Sequence, residues 1–164
     1  MPKKKIFVSG CFDMLHSGHI RFLEEAAGYG EVHVGIGSDR TVKELKGRYP
    51  VNTQAERKYM LEALRHVKAC YINRGSGIMD FLQELKRVSP DILVVNEDGN
   101  SPAKAQLCER LGMRYIVLKR DPRAHLPAGP PPVCEWNAGF LIVWTLRAAG
   151  WTRHLCPDTE PARC

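Results

Sequence analysis

No apolar run in this 164-residue chain is long enough to span a membrane, and the charged opening MPKKKIFVSG does not read as a secretion signal. Its six cysteines (Cys11, Cys70, Cys108, Cys134, Cys156 and Cys164) form no CxxC pair and follow no regular spacing. Free thiols in a reducing cytoplasm are therefore expected. Also missing is any basic block interleaved with aromatic residues. The formal net charge is +6, but the lysines and arginines are scattered among acids, as in LEEAA, KELKGR and QAERK. Nucleic acid and membrane are accordingly not the expected partners, and small phosphorylated ligands explain the surplus. What remains is a chain long enough to bury the core of one domain.

Within that domain, short β-branched runs alternate with helical patterns. Strands are expected at Lys5–Ser9, Val32–Ile36, Ala69–Asn73, Asp91–Val95 and Tyr115–Leu118. Ile20, Leu23 and Ala27 mark one helix face; Met60, Leu61, Leu64 and Val67 mark a second; Ile78, Phe81, Leu82 and Leu85 mark a third. Thr53-Gln-Ala-Glu56 is a capping box that starts the second of these helices, and residues 102–111 suit a fourth. Alternation of this kind predicts an α/β fold: a Rossmann-like, doubly wound, five-stranded parallel sheet with helices on both faces and strand order 3-2-1-4-5. Ligands in such sheets bind at the carboxyl ends of strands where the winding reverses. The loops after the first and fourth strands, GCFDMLHSGH (10–19) and NEDG (96–99), should then share one crevice. GIGSDR (35–40) starts like a dinucleotide fingerprint but lacks its third glycine, and is expected to be a tight turn.

The first of those loops poses the chemical question. A helix beginning near Ser17 aims its unpaired N–H groups and positive dipole end back at the loop, which makes a phosphate site. Gly10 and Gly18 permit close backbone approach. His16 and His19, one turn apart, can reach oxygens of the same phosphate chain and stabilise the charge that grows as a bond to phosphorus breaks.

At these residues the chain resembles the cytidylyltransferase-like superfamily of HxGH nucleotidyltransferases, from about Lys4 to Ala128. It is most similar there to glycerol-phosphate cytidylyltransferases and to the adenylyltransferase domains that activate heptose phosphate. GCFDMLHSGH matches their nucleotide-binding opening, with Cys11 in place of the usual threonine and Phe12 beside it. LKGRYPVNTQAER (45–57) matches their next segment, which implies phosphate contacts for Lys46 and Arg57. VVNEDG (94–99) matches their loop after the fourth strand, with Asn96 where glycine is usual and Asp98 following; LKRDP (118–122) places the arginine of their last motif at Arg120. The resemblance implies transfer of CMP or AMP from CTP or ATP to an alcohol phosphate or sugar phosphate, with release of pyrophosphate. His16 and His19 would stabilise the transition state, Lys46 would bridge the phosphates of the two substrates, and Arg120 would hold the β- and γ-phosphates. Asp13 would fix the loop or approach a Mg²⁺ ion carried largely by the phosphates. Taken singly, Lys43, Arg48 and Arg57 also read as solvated surface cations. A homodimer is implied by the relatives, although no interface is legible, and neither the base nor the acceptor can be read from these residues.

After Ala128 the pattern stops. Relatives end their last motif in a Ser/Thr-rich stretch such as RSTT, whereas this chain continues GPPPVCEWNAGFLIVWTLRAAGW. All three tryptophans and three of the six cysteines lie beyond 128, and no lysine does. Adding one nucleotide before Gly129 makes Gly-Pro-Pro-Pro compatible with RSTT, and the stretch from Val133 onward compatible with GLRMECRIPYRLDLAGGW, which resembles the opening of a GHMP-type sugar kinase. Residues 129–164 are thus expected to be an out-of-frame tail that packs poorly, with residues 1–128 forming the nucleotidyltransferase domain. Loss of the Ser/Thr motif would leave the chain a catalytically impaired nucleotide-binding module as the competing reading.

Overall fold

The computed structural model describes residues 3–119, together with the backbone of two strands at 141–147 and 150–156. Strand β1 (Lys5–Gly10) buries Ile6, Phe7 and Val8 completely. Three consecutive buried side chains on a strand require cover on both faces of the sheet. The strands that follow are β2 (Glu31–Ile36), β3 (Val67–Ile72), β4 (Ile92–Asn96) and β5 (Arg114–Leu118), all parallel, in the order β3-β2-β1-β4-β5. The helices are α1 (Ser17–Ala27), α2 (Asp39–Lys46), α3 (Gln54–Glu62), α4 (Leu82–Val88) and α5 (Pro102–Leu111). Leu23 and Ala26 of α1 and Leu61 of α3 pack with Ile6, Val8, Val34 and Val94 on one face. On the other, Leu85 and Val88 of α4 and Leu107 and Cys108 of α5 pack with Phe7, Phe81, Leu93 and Val95. The winding therefore reverses between β1 and β4, and the expected doubly wound sheet is present.

Three local expectations change. The second helix stops at Glu62, and β3 starts at Val67 rather than Ala69. Leu64 and Val67 touch the same core from a turn and from the strand, so the apolar spacing runs on past the helix end. Ile78 is 65% exposed in a 3-10 turn (Gly77–Met79) and is not part of the α4 face. GIGSDR is not a tight turn but a strand-to-helix junction: Gly35 and Ile36 finish β2, and the Ser38 side chain caps α2 by accepting the N–H of Thr41. That helix escapes the apolar-stripe rule because only Thr41 and Val42 are buried on it.

Cys11, Cys70 and Cys108 are free thiols, and burial pushes the Cys70 thiol up to about 12, out of the reactive range. Among the described residues no helix is long and apolar enough to cross a membrane. The chain divides into two compact units, Met1–His125 and Leu126–Cys164. In the second, β6 (Leu141–Arg147) pairs antiparallel with β7 (Gly150–Cys156) as a sheet of two strands. The expected frame-shifted character and packing of 129–164 otherwise fall outside the described residues.

Candidate functional site

Where β1 ends, the Phe12 ring makes a geometric demand on Gly10. A Cβ on it would stand 2.9 Å from Cε2 of Phe12, so glycine is what lets that ring seat. Phe12 itself adopts φ 48, the left-handed region seldom used by an aromatic residue, and is buried. His16 then caps α1 with its own ring. The Gly18 N–H donates to Nδ1 of His16 at 3.1 Å, and the His19 N–H donates to the His16 carbonyl at 2.9 Å. An Nδ1 that accepts carries no proton, so the neutral ring bears its hydrogen on Nε2. The rings of His16 and His19 stack, with centroids 3.8 Å apart and planes inclined by 27°. Phe12 packs against His19 at 5.1 Å. The two imidazoles therefore form one slab at the mouth of a helix, where N–H groups and dipole both favour an anion.

That slab lines a cleft of about 610 Å³ between the loops after β1 and β4. The volume is of the size that takes a small ligand such as a nucleotide. Of the residues expected at the site, Gly10, Cys11, Phe12, Asp13, His16, Gly18, His19, Lys46, Asn96 and Asp98 all line this cleft. Arg21, Arg48 and Lys119 line it too, and were not singled out as site residues. Two of them carried a positional signal. Arg21 lies one helical turn beyond Ser17, and Lys119 follows the carboxyl end of β5. Arg120 lies outside the described residues.

Arg57 requires a correction. It has no exposed surface and does not reach the cleft, so it is neither a substrate-phosphate contact nor a solvated cation. Its guanidinium donates to the carbonyls of Cys11 (2.7 Å), Gly37 (2.9 Å) and Asn52 (3.1 Å) and to the Asp39 carboxylate (2.8 Å). A buried charge needs such compensation. What Arg57 does is fasten the loops after β1 and β2 to the start of α3.

Asp13 fixes the second loop. Its Oδ1 accepts the N–H groups of Val51 (2.6 Å) and Asn52 (3.2 Å), and its Oδ2 accepts from the Arg48 guanidinium at 3.2 Å. Burial raises the Asp13 carboxyl, but the N–H groups of Asn52 and Val51 and the Arg48 charge outweigh it and hold the group below the usual carboxylate range. Asn96 is likewise engaged internally, its Oδ1 accepting the Gly99 N–H at 2.9 Å. Among the described residues no three His, Cys, Asp or Glu side chains converge to hold a metal ion. The described part of the cleft therefore shows no cluster of oxygen ligands built for an ion, and a Mg²⁺ ion carried largely by phosphates would fit it.

A doubly wound sheet whose switch-point cleft carries stacked imidazoles at a helix mouth, with several cations around it, defines an α/β domain that binds phosphorylated nucleotides. More narrowly, the chain belongs to the cytidylyltransferase-like family, whose model matches residues 7–148. It is 45% identical over 98 residues to the bifunctional protein HldE of Campylobacter fetus subsp. fetus, a match covering 58% of this chain but 21% of that protein. With the FAD synthase of Thermococcus sibiricus it shares 41% identity over 120 residues, covering 71% of this chain and 79% of the relative. The chain thus spans about a fifth of the length of its bifunctional relative and most of the length of the synthase. Among solved structures, the lipopolysaccharide core biosynthesis protein of Thermoplasma volcanium superposes with a TM-score of 0.60 at 24% identity, over 73% of this chain and 97% of that one. Pantoate-beta-alanine ligase of Francisella tularensis does so with 0.55 at 18% identity, over 73% and 61%. At those identities the likeness concerns the fold.

Proposed function

We propose that this chain is a nucleotidyltransferase that moves a CMP or AMP group from its nucleoside triphosphate to an alcohol phosphate or sugar phosphate, releasing pyrophosphate. The observation that carries the reading is the His16–His19 stack beside the N-terminus of α1, facing the cleft at the β1/β4 switch. The acceptor phosphate, whose second pKa is about 6, is already an oxyanion at neutral pH and needs no general base. Its oxygen forms a bond to the α-phosphorus. The bond from that phosphorus to the bridging oxygen breaks, and pyrophosphate departs with the electron pair. The protein's contribution is alignment and charge neutralisation. The Nε2–H of His16 and the ring of His19 meet charge developing on the α- and β-phosphates; Lys46 spans acceptor and triphosphate; Arg120 holds the β- and γ-phosphates. A Mg²⁺ ion carried in by the triphosphate would supply further charge neutralisation.

The synthase relative supports the AMP arm, since FAD is AMP joined through a diphosphate to a flavin. The competing module reading is favoured by one feature, the absence of an RSTT stretch after Ala128. Pyrophosphate release with CTP and ATP against a panel of phosphates, alongside equilibrium binding of both triphosphates, separates the two. Turnover with at least one pair is expected. Binding without turnover establishes the impaired module, and no binding of either triphosphate overturns both readings.

A further inference from the structure

Lys104 stands where two physical effects oppose it. It is the third residue of α5, at the positive end of that helix, and it is 7% exposed. A cation gains nothing from a helix N-terminus and loses solvation when buried. Burial accordingly pushes its ammonium below the ordinary lysine range, with the Asp80 carboxylate pulling in the other direction. A long apolar residue would fill the same space without either cost.

Its contacts show what the charge is used for. Nζ donates to the Gly99 carbonyl at 2.7 Å and lies 5.8 Å from the centre of the Phe81 ring. Gly99 is tied on its other side by the N–H that donates to Asn96 Oδ1. The Asn100 N–H donates to the Glu97 carbonyl at 3.2 Å, and the Tyr115 hydroxyl donates to Asn100 Oδ1 at 2.9 Å. The turn after β4 is therefore held from both sides of one glycine, and this turn brings Asn96, Asp98 and Gly99 to the wall of the cleft. Lys104 does not line that wall. The Asn96 cap alone would close the turn; the ammonium additionally sets the plane of the Gly99–Asn100 peptide. Asp80, which attracts it, accepts from Asn73 Nδ2 at 2.9 Å. Its Oδ2 packs against Gly37, where a Cβ would come within 3.3 Å.

We infer that Lys104 is a positioning residue for nucleotide binding, locking the Glu97–Gly99 turn in the shape that receives a nucleoside triphosphate. The inference rests on the nucleotidyl-transfer reading. Its test uses the full chain, the variants Lys104→Met and Lys104→Arg, calorimetric binding of CTP and ATP, and amide hydrogen exchange. Lys104→Met is expected to weaken the preferred triphosphate by about tenfold or more, as loss of a charged hydrogen bond that orders a site does. Exchange should rise at Gly99 and Asn100 while the β1 amides stay protected. Lys104→Arg, which retains a charged donor, should bind within about threefold of the wild type. Unchanged binding by Lys104→Met overturns the assignment, and so does exchange that rises across the whole sheet. Should Lys104→Met not fold, Lys104→Arg decides: binding kept within that limit, with Gly99 still protected, supports the role, and binding lost overturns it. A wild type that binds neither triphosphate sinks the functional reading and this inference together. A wild type that binds, beside a Met variant that binds equally well, sinks this inference alone.

Discussion

At position 16 the proposed function gives one imidazole two tasks that proteins usually divide. Its Nδ1 caps a helix, a role ordinarily given to serine, threonine, aspartate or asparagine, and the proposed reaction assigns its Nε2–H to the phosphate chain. The two tasks can be separated by substitution. Asparagine at 16 retains an acceptor for the Gly18 N–H, so His16→Asn should unfold in urea within about 0.5 kcal/mol of the wild type, whereas His16→Ala should lose about 1 kcal/mol. Both should slow pyrophosphate release by about a hundredfold or more, the usual consequence of removing a donor aimed at developing charge. If His16→Asn kept its rate, the imidazole would be a cap and nothing else. The histidine pair was legible in the sequence because its spacing is local: one turn of helix suffices to stack residues 16 and 19. Arg57 was not legible, because its burial depends on carbonyls as distant in the chain as Cys11. Flanked by Glu56 and Lys58, it looks like any charged residue on an exposed helix face.

Elements are joined at this site by side chains that cross between loops, and Asp13 is the simplest such link. It belongs to the loop after β1, yet three of its acceptor contacts go to Arg48, Val51 and Asn52, which connect α2 to α3. Because its folded-state pKa lies below the unfolded value, its stabilising contribution is present above roughly pH 4 and is lost as pH falls through the folded value. Replacing it by asparagine leaves one oxygen for the Val51 and Asn52 N–H groups but turns an amide toward Arg48. Asp13→Asn is expected to cost about 1–2 kcal/mol near neutral pH. The gap to the wild type should narrow steadily below pH 4, measured by urea unfolding at a series of pH values. A gap that stays constant into acid would mean that the Asp13 charge contributes nothing. Element boundaries were less legible than element order for a related reason. Hydrophobic spacing reports which residues meet the core, and Leu64 and Val67 meet it from outside the helix whose period they continue. Conversely, α2 meets the core with two residues and is marked in the sequence only by Ser38-Asp39 at its start and Gly47, at φ 70, after its end.

For the whole molecule the question is how much of the chain the fold and cleft require. Among the described residues both hydrophobic clusters lie between Ile6 and Leu118, and the cleft is lined from Ser9 to Lys119. Strand order was readable from β–α alternation plus right-handed crossovers, rules that need no knowledge of individual contacts. The same independence from detail makes a truncation informative. A chain ending at His125 retains all five parallel strands, both buried cations that hold the loops, and Arg120. If Leu126–Cys164 supplies no packing, the shortened chain should unfold cooperatively with a Tm within about 5 °C of the full chain, since 1 kcal/mol moves a domain of this size by several degrees. Its affinity for the preferred triphosphate should also stay within about twofold, a difference of less than 1 kcal/mol. A larger drop in Tm would assign structural work to the second unit. Loss of triphosphate affinity at an unchanged Tm would mean that residues after 125 complete the phosphate site despite lacking the expected Ser/Thr stretch, and the proposed division of labour between His16, His19 and the first unit would have to be redrawn.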